Sequence, residues 1–160
     1  GTNTIVMAEH DGSQRTLISG PAAPVPTWVP KLPGSVMITV AHWILRPGEI
    51  ETGSIEVLSH RNLDSVKRYY LQALTAAGFD MRDNGFGAAN LGGAMLLGID
   101  NELVGIRADD QMRIRIVTRA PSGLISRSRV IQLQWQRHEH DVAVRNGGKY
   151  PARADNDAGR

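Results

Sequence analysis

A chain of 160 residues that is 41% apolar can close one core, though few of its residues (5%) are aromatic. The lack of cysteine excludes a disulfide scaffold, thiolate chemistry and any cysteine metal site. A net charge of +2 is too small to mark a nucleic-acid protein. No apolar run approaches the ~20 residues of a membrane helix, and no basic-then-apolar signal segment is present. Gly1 stands where a methionine would start a chain, so the sequence reads as a processed or trimmed product. Any targeting or anchoring segment would have preceded it.

Residues 1–20 are polar, with short apolar runs at Ile5-Val6-Met7 and Leu17-Ile18. They suit a loose hairpin turning at Asp11-Gly12, or an extended leader. Five of the eight prolines fall between Gly20 and Gly34, which forbids helix or central strand and predicts a stiff lead-in. Trp28 within it either docks the segment on the core or offers a contact to a partner. Val36 to Leu45 is rich in β-branched and aromatic residues and reads as a strand. Arg46-Pro-Gly-Glu49 turns it back into a second strand over Ile50 to Ser59, with Ile55 and Val57 on one face.

The one strong helix runs over Asn62 to Phe79. Leu63, Val66, Tyr70, Ala73, Leu74 and Ala77 recur at the helical period, and Lys67, Arg68, Gln72 and Thr75 take the opposite face. Asn62 suits the N-cap, Asp64 favours the positive end of the dipole, and Gly78-Phe79 suits a Schellman ending. A weak strand over Phe79 to Phe86 follows. Met95 to Ile99 and Leu103 to Ala108 then suggest a hairpin about Asp100-Asn-Glu102. After a turn at Asp109-Asp110, Met112, Ile114 and Ile116 alternate with Arg113, Arg115 and Val117, the period of a strand with one buried face. Ile131, Leu133 and Trp135 alternate with glutamines over Val130 to Gln136, which reads as an edge strand or one offered to a second copy.

Three pieces together resemble a known family. Pro26-Thr-Trp-Val-Pro-Lys-Leu-Pro-Gly34 resembles its Pro-x-Trp-hydrophobic-Pro-x-Tyr-Pro-Gly lead-in. Asn62 to Phe79 resembles its capped helix ending in Gly-Phe, and Gly93-Ala-Met-Leu-Leu-Gly-Ile-Asp100 resembles the strand that follows. The family is one of small bacterial domains outside the cytoplasmic membrane, attached to lipoproteins or membrane anchors, with no assigned activity. The resemblance spans about residues 26–119, with Leu32 where tyrosine is usual and Leu63 where proline is usual. It implies an extracytoplasmic setting, periplasmic or membrane-anchored, and supplies no catalytic residue.

The expected organisation is a Pro-rich lead-in over 1–33, a single domain over 34–137 and a flexible tail over 138–160. The expected fold is α+β: an antiparallel sheet of five to six strands with one amphipathic helix packed on one face.

The chemistry-bearing motifs are sparse. Gly85-x-Gly87 with Gly92-Gly93 lacks the third glycine of a dinucleotide fingerprint and any Gly-Lys-Ser/Thr, and it joins strand to strand. It reads as a hairpin loop. His138-Glu139-His140-Asp141 could present two imidazoles on one side of an extended segment, but it has too few ligands for a structural metal site and sits on a tail without walls. His42 and His60 read as packed or surface histidines. No Gly-x-Ser-x-Gly elbow or cleft-placed carboxylate pair occurs. Six arginines and no acid lie between Gln111 and Arg137, a strip that keeps a sheet face soluble or binds an anion.

The sequence thus points to a non-catalytic binding module without cofactor or metal. Its candidate contacts are Trp28, Arg113, Arg115 and Arg119, and its partner is a protein or an anionic envelope polymer rather than nucleic acid. A homodimer through residues 130–136 is a further expectation. A small hydrolase or metal-dependent enzyme using the histidines is the alternative.

Overall fold

The computed structural model describes residues 1–8, 14–46, 49–85, 98–121 and 127–137. Among these residues eight strands and one helix follow in chain order: β1 Asn3–Ala8, β2 Gln14–Ser19, β3 Val36–Arg46, β4 Glu49–Ser59, α1 Leu63–Ala76, β5 Asp80–Asn84, β6 Ile99–Arg107, β7 Met112–Arg119 and β8 Arg129–Arg137. The strands form one antiparallel sheet in the order β1-β2-β3-β4-β8-β7-β6-β5. No helix among the described residues is long and apolar enough to cross a membrane.

The helix follows its sequence signals closely. The Asn62 side chain accepts from the Ser65 amide at 2.8 Å, which satisfies a first-turn donor. At the other end Gly78 takes φ +91°, the Phe79 amide reaches the Leu74 carbonyl and the Gly78 amide the Thr75 carbonyl. Those two bonds are the Schellman pair. Val66, Tyr70 and Leu74 are fully buried.

The β4–α1–β5 connection carries the chain from the middle of the sheet to its far edge, so α1 crosses the face that β8, β7 and β6 present. The lead-in covers the same side. Ala23, Val29 and Leu32 pack into one core with Val40, Ile55, Leu133, Ile114 and Ile116. The Tyr69 hydroxyl donates to the Lys31 carbonyl at 2.5 Å, tying helix to lead-in.

Two glycines make this core possible. Across one row of the sheet His42, Gly53, Trp135, Ile114, Gly105 and Met81 stand side by side. A Cβ on Gly53 would sit 2.2 Å from Trp135 Cζ2, and one on Gly105 would sit 2.3 Å from Met81 Sδ. The large side chains lie sideways over the space the glycines leave.

Several sequence expectations are corrected. The sheet has eight strands, not five to six. The polar residues before the lead-in pair as β1 and β2, the hairpin reading of residues 1–20 rather than the extended leader, with the Asp11-Gly12 turn outside the described residues. This hairpin and residues 130–136 add strands to the same sheet. β8 is not an edge: β4 pairs one side of it and β7 the other, so its backbone is used within the chain and a homodimer through 130–136 loses its basis. The hairpin about Asp100-Asn-Glu102 is absent as well. All three residues lie inside β6, with an irregularity between Ile99 and Asn101. The Gly85–Gly93 loop from Phe86 onward and the His138–Asp141 cluster fall outside the described residues.

Candidate functional site

Among the described residues neither α1 nor the lead-in covers the rows of Arg113 and Arg115 on the opposite face, whereas Val117 and Glu102 in the row beyond are buried. The pairing register specifies what the open rows show. One row reads Ala41, Ser54, Gln134, Arg115, Val104 across β3, β4, β8, β7 and β6; the next reads Trp43, Thr52, Gln136, Arg113, Ile106. These positions alternate with the buried ones, as the two-residue strand period requires. Register shifts in β3 fall on either side of Ala41 and Trp43, and such irregularities bend and twist a strand.

Between these rows lies an open trough of about 450 Å³, lined by Trp43, Ser54, Arg113, Arg115, Gln134 and Gln136 among others. Trp43 stands on one side and the arginines on the other. Three inter-strand steps separate β3 from β7, about 14 Å at the usual spacing. Trp43 is half-buried, and the two arginines and two glutamines are exposed. The floor is hydroxyl and amide, with the Thr52 hydroxyl donating to the Trp135 carbonyl at 3.1 Å.

Arg115 Nε donates to Glu102, a residue of the next row, and the Arg115 side chain stays 47% exposed with its terminal nitrogens uncommitted to that bond. Arg113 has no carboxylate partner among the described residues. Glu102 and Glu56 both lie in the row beyond Arg115, so negative charge bounds that end and the other stays positive.

Of the residues singled out from sequence, Arg113 and Arg115 are brought together here. Trp28 is on the opposite side of the sheet. It packs 5.4 Å from the Phe79 ring and edge-on, 5.6 Å, to Trp135, with the Arg107 guanidinium 5.2 Å above it. There it docks the lead-in. Arg119 is half-buried beside Val130, four residues and about 13 Å along the strand from Arg115. Trp43, Gln134 and Gln136 were not recognisable as site residues. The glutamine alternation is visible in the sequence, but nothing local connects it to Trp43.

The remaining polar groups serve the fold. Arg107 holds Asp110 with two bonds, 3.0 and 2.7 Å, and donates to the Ala77 carbonyl at the helix end. The guanidinium keeps the Asp110 carboxyl below the usual carboxylate range. Asp100 is bonded by the Thr118 hydroxyl at 2.7 Å and by buried Arg129. Asp83, with Lys67 at 2.5 Å, is also held low: burial opposes the shift, and Lys67 and the Gly85 amide outweigh it. His42 lies 1% exposed beneath the lead-in, and burial pushes its imidazole below the ordinary value, opposed by the Pro24 backbone. His60 is exposed, with Nδ1 3.4 Å from the Ser128 hydroxyl. Among the described residues no group of three or more histidine and carboxylate ligands is placed to hold a metal ion.

Compared with protein-family models, with characterised proteins and with solved structures, the chain matches none.

Proposed function

We propose that this chain is a binding module for an anionic component of the cell envelope, engaged by the open face of the sheet. The observation that carries the reading is the pairing of exposed Arg113 and Arg115 across a trough from Trp43, with no helix or lead-in over them among the described residues. Guanidinium groups bind carboxylate, sulfate or phosphate through paired N–H donors, and they stay protonated near neutral pH. The trough's titratable groups therefore suit recognition rather than acid–base chemistry. The extracytoplasmic setting rests on the resemblance of the lead-in and helix.

The test is salt-dependent binding to a panel of carboxylated, sulfated and phosphorylated polymers. Arg113→Gln with Arg115→Gln should abolish retention, whereas Lys31→Gln, on the helix side, should leave it intact. Equal retention of parent and double variant would refute the assignment of the open face.

A further inference from the structure

Resting on the open-face reading, we infer that the trough takes an acidic saccharide: a short chain of sugar rings bearing carboxylates. Four features of the two rows converge on that class.

The first is that two tryptophans border the trough among the described residues, Trp43 and Trp135, and the Trp135 ring is 1% exposed and belongs to the core, which leaves the Trp43 indole to meet a ligand. Sheets that hold single-stranded nucleic acid stack successive bases on several rings, and one indole cannot do so. One indole does suit the flat C–H face of a single sugar ring, which buries apolar area on it without needing a base. The second is the floor. Ser54, Thr52, Gln134 and Gln136 alternate along neighbouring strands, and each amide offers a donor pair and an acceptor on one small group. Neighbouring hydroxyls of a sugar, each both donor and acceptor, match such a surface. A phosphate polymer, which presents acceptors only, would leave the amide oxygens without partners.

The third is the placement of charge. The arginines are confined to the β7 side, about 14 Å from Trp43, so the ligand must be apolar-faced at one end and anionic at the other. Planar carboxylates fit the fork of Arg113, which has no carboxylate partner of its own among the described residues. The fourth is size. About 450 Å³ in an open groove is in the range of small-ligand sites and accepts a few rings.

The experiment is titration calorimetry of the purified protein with a tetramer of galacturonic acid. The neutral galactose tetramer and a polyphosphate of similar charge serve as comparators. The uronate tetramer should bind, and the neutral tetramer should bind at least about ten-fold more weakly. Trp43→Ala should weaken the uronate by about ten-fold or more, Trp43→Phe should restore part of that loss, and Arg113→Gln should weaken it comparably. Far-UV circular dichroism of each variant checks that the sheet is intact. Three results overturn the inference: no uronate binding, equal binding of the neutral tetramer, or uronate binding indifferent to Trp43→Ala. If polyphosphate alone binds and depends on Arg113 and Arg115, the saccharide assignment fails while the anion-binding reading stands. If no anion binds, both fail.

Discussion

Replacing Gly53 by alanine tests the packing of the core directly. Gly53 pairs with Trp135 across β4 and β8, and its φ lies outside the left-handed region, so alanine meets no backbone strain there. The added Cβ would lie 2.2 Å from Cζ2 and 2.5 Å from Cε2 of the indole. Carbon atoms rest at ~3.5 Å or more, so the ring must retreat by about 1.3 Å. Its room is small, because Trp135 is 1% exposed and stands edge-on to Trp28. Overpacking a closed core costs about 1–3 kcal/mol, and a pinned ring belongs at the upper end. For a domain whose whole stability is ~5–15 kcal/mol, a loss near 3 kcal/mol moves the urea midpoint visibly. The assay is urea unfolding by far-UV circular dichroism for the parent, Gly53→Ala, Trp135→Leu and the double variant. In the leucine background the new methyl has space. There alanine should be neutral or stabilising by up to ~1 kcal/mol, since glycine loses more backbone freedom on folding. The cycle should therefore return a coupling of about 2 kcal/mol or more. A Gly53→Ala protein within ~0.5 kcal/mol of the parent would show that Trp135 does not lie over Gly53.

Leu74→Ala should cost about 2–5 kcal/mol and Thr75→Ala almost nothing, since Leu74 is fully buried and Thr75 exposed; thermal melts separate the two. Asn62→Ala removes the acceptor of the Ser65 amide and should cost about 1 kcal/mol, read by urea unfolding. His42 gives a signed pH effect. Its folded-state pKa is depressed, so below about pH 6.5 the unfolded chain takes up a proton that the folded chain refuses. Stability should fall on acidification by up to about 1.4 kcal/mol per pH unit until the folded-state value is reached. His42→Leu should flatten that part of the profile.

How far the sequence carried these conclusions depended on what kind of information each element holds. Helix α1 was legible to the residue, because capping and periodicity are written within one stretch of chain. The alternation of β7 was equally plain from Met112 to Ile116, and so was the shared inward face of Ile55 and Val57. Val117, however, read with Arg113 and Arg115 as solvated, is 3% exposed and packs with Ile99. Strand order was not. A central strand with one solvated face alternates just as an edge strand does, and backbone hydrogen bonds leave no mark on side-chain identity. That is why Val130 to Gln136 read as an edge. Asp100 and Asn101 misled for a different reason. Acidic and amide residues usually signal turns, and here Asp100 is engaged by Thr118 and Arg129 inside a strand while Asn101 is buried. The trough was half legible: the arginines stood out, but placing Trp43 opposite them requires four strands in their spatial order.

The position of β8 also constrains when the molecule can become whole. It is the last strand in sequence, yet it lies between β4 and β7, which were laid down 70 and 10 residues earlier. Until β8 is made, β4 and β7 lack the strand that joins them in the finished sheet. Burial of Ile55 and Ile116 against Leu133 waits on the same event. A chain built this way joins the two sides of its sheet through its last strand. The closing strand brings Trp135 into the core with one face and Gln134 and Gln136 to the trough with the other, so the hydrophobic interior and the candidate binding surface are completed together.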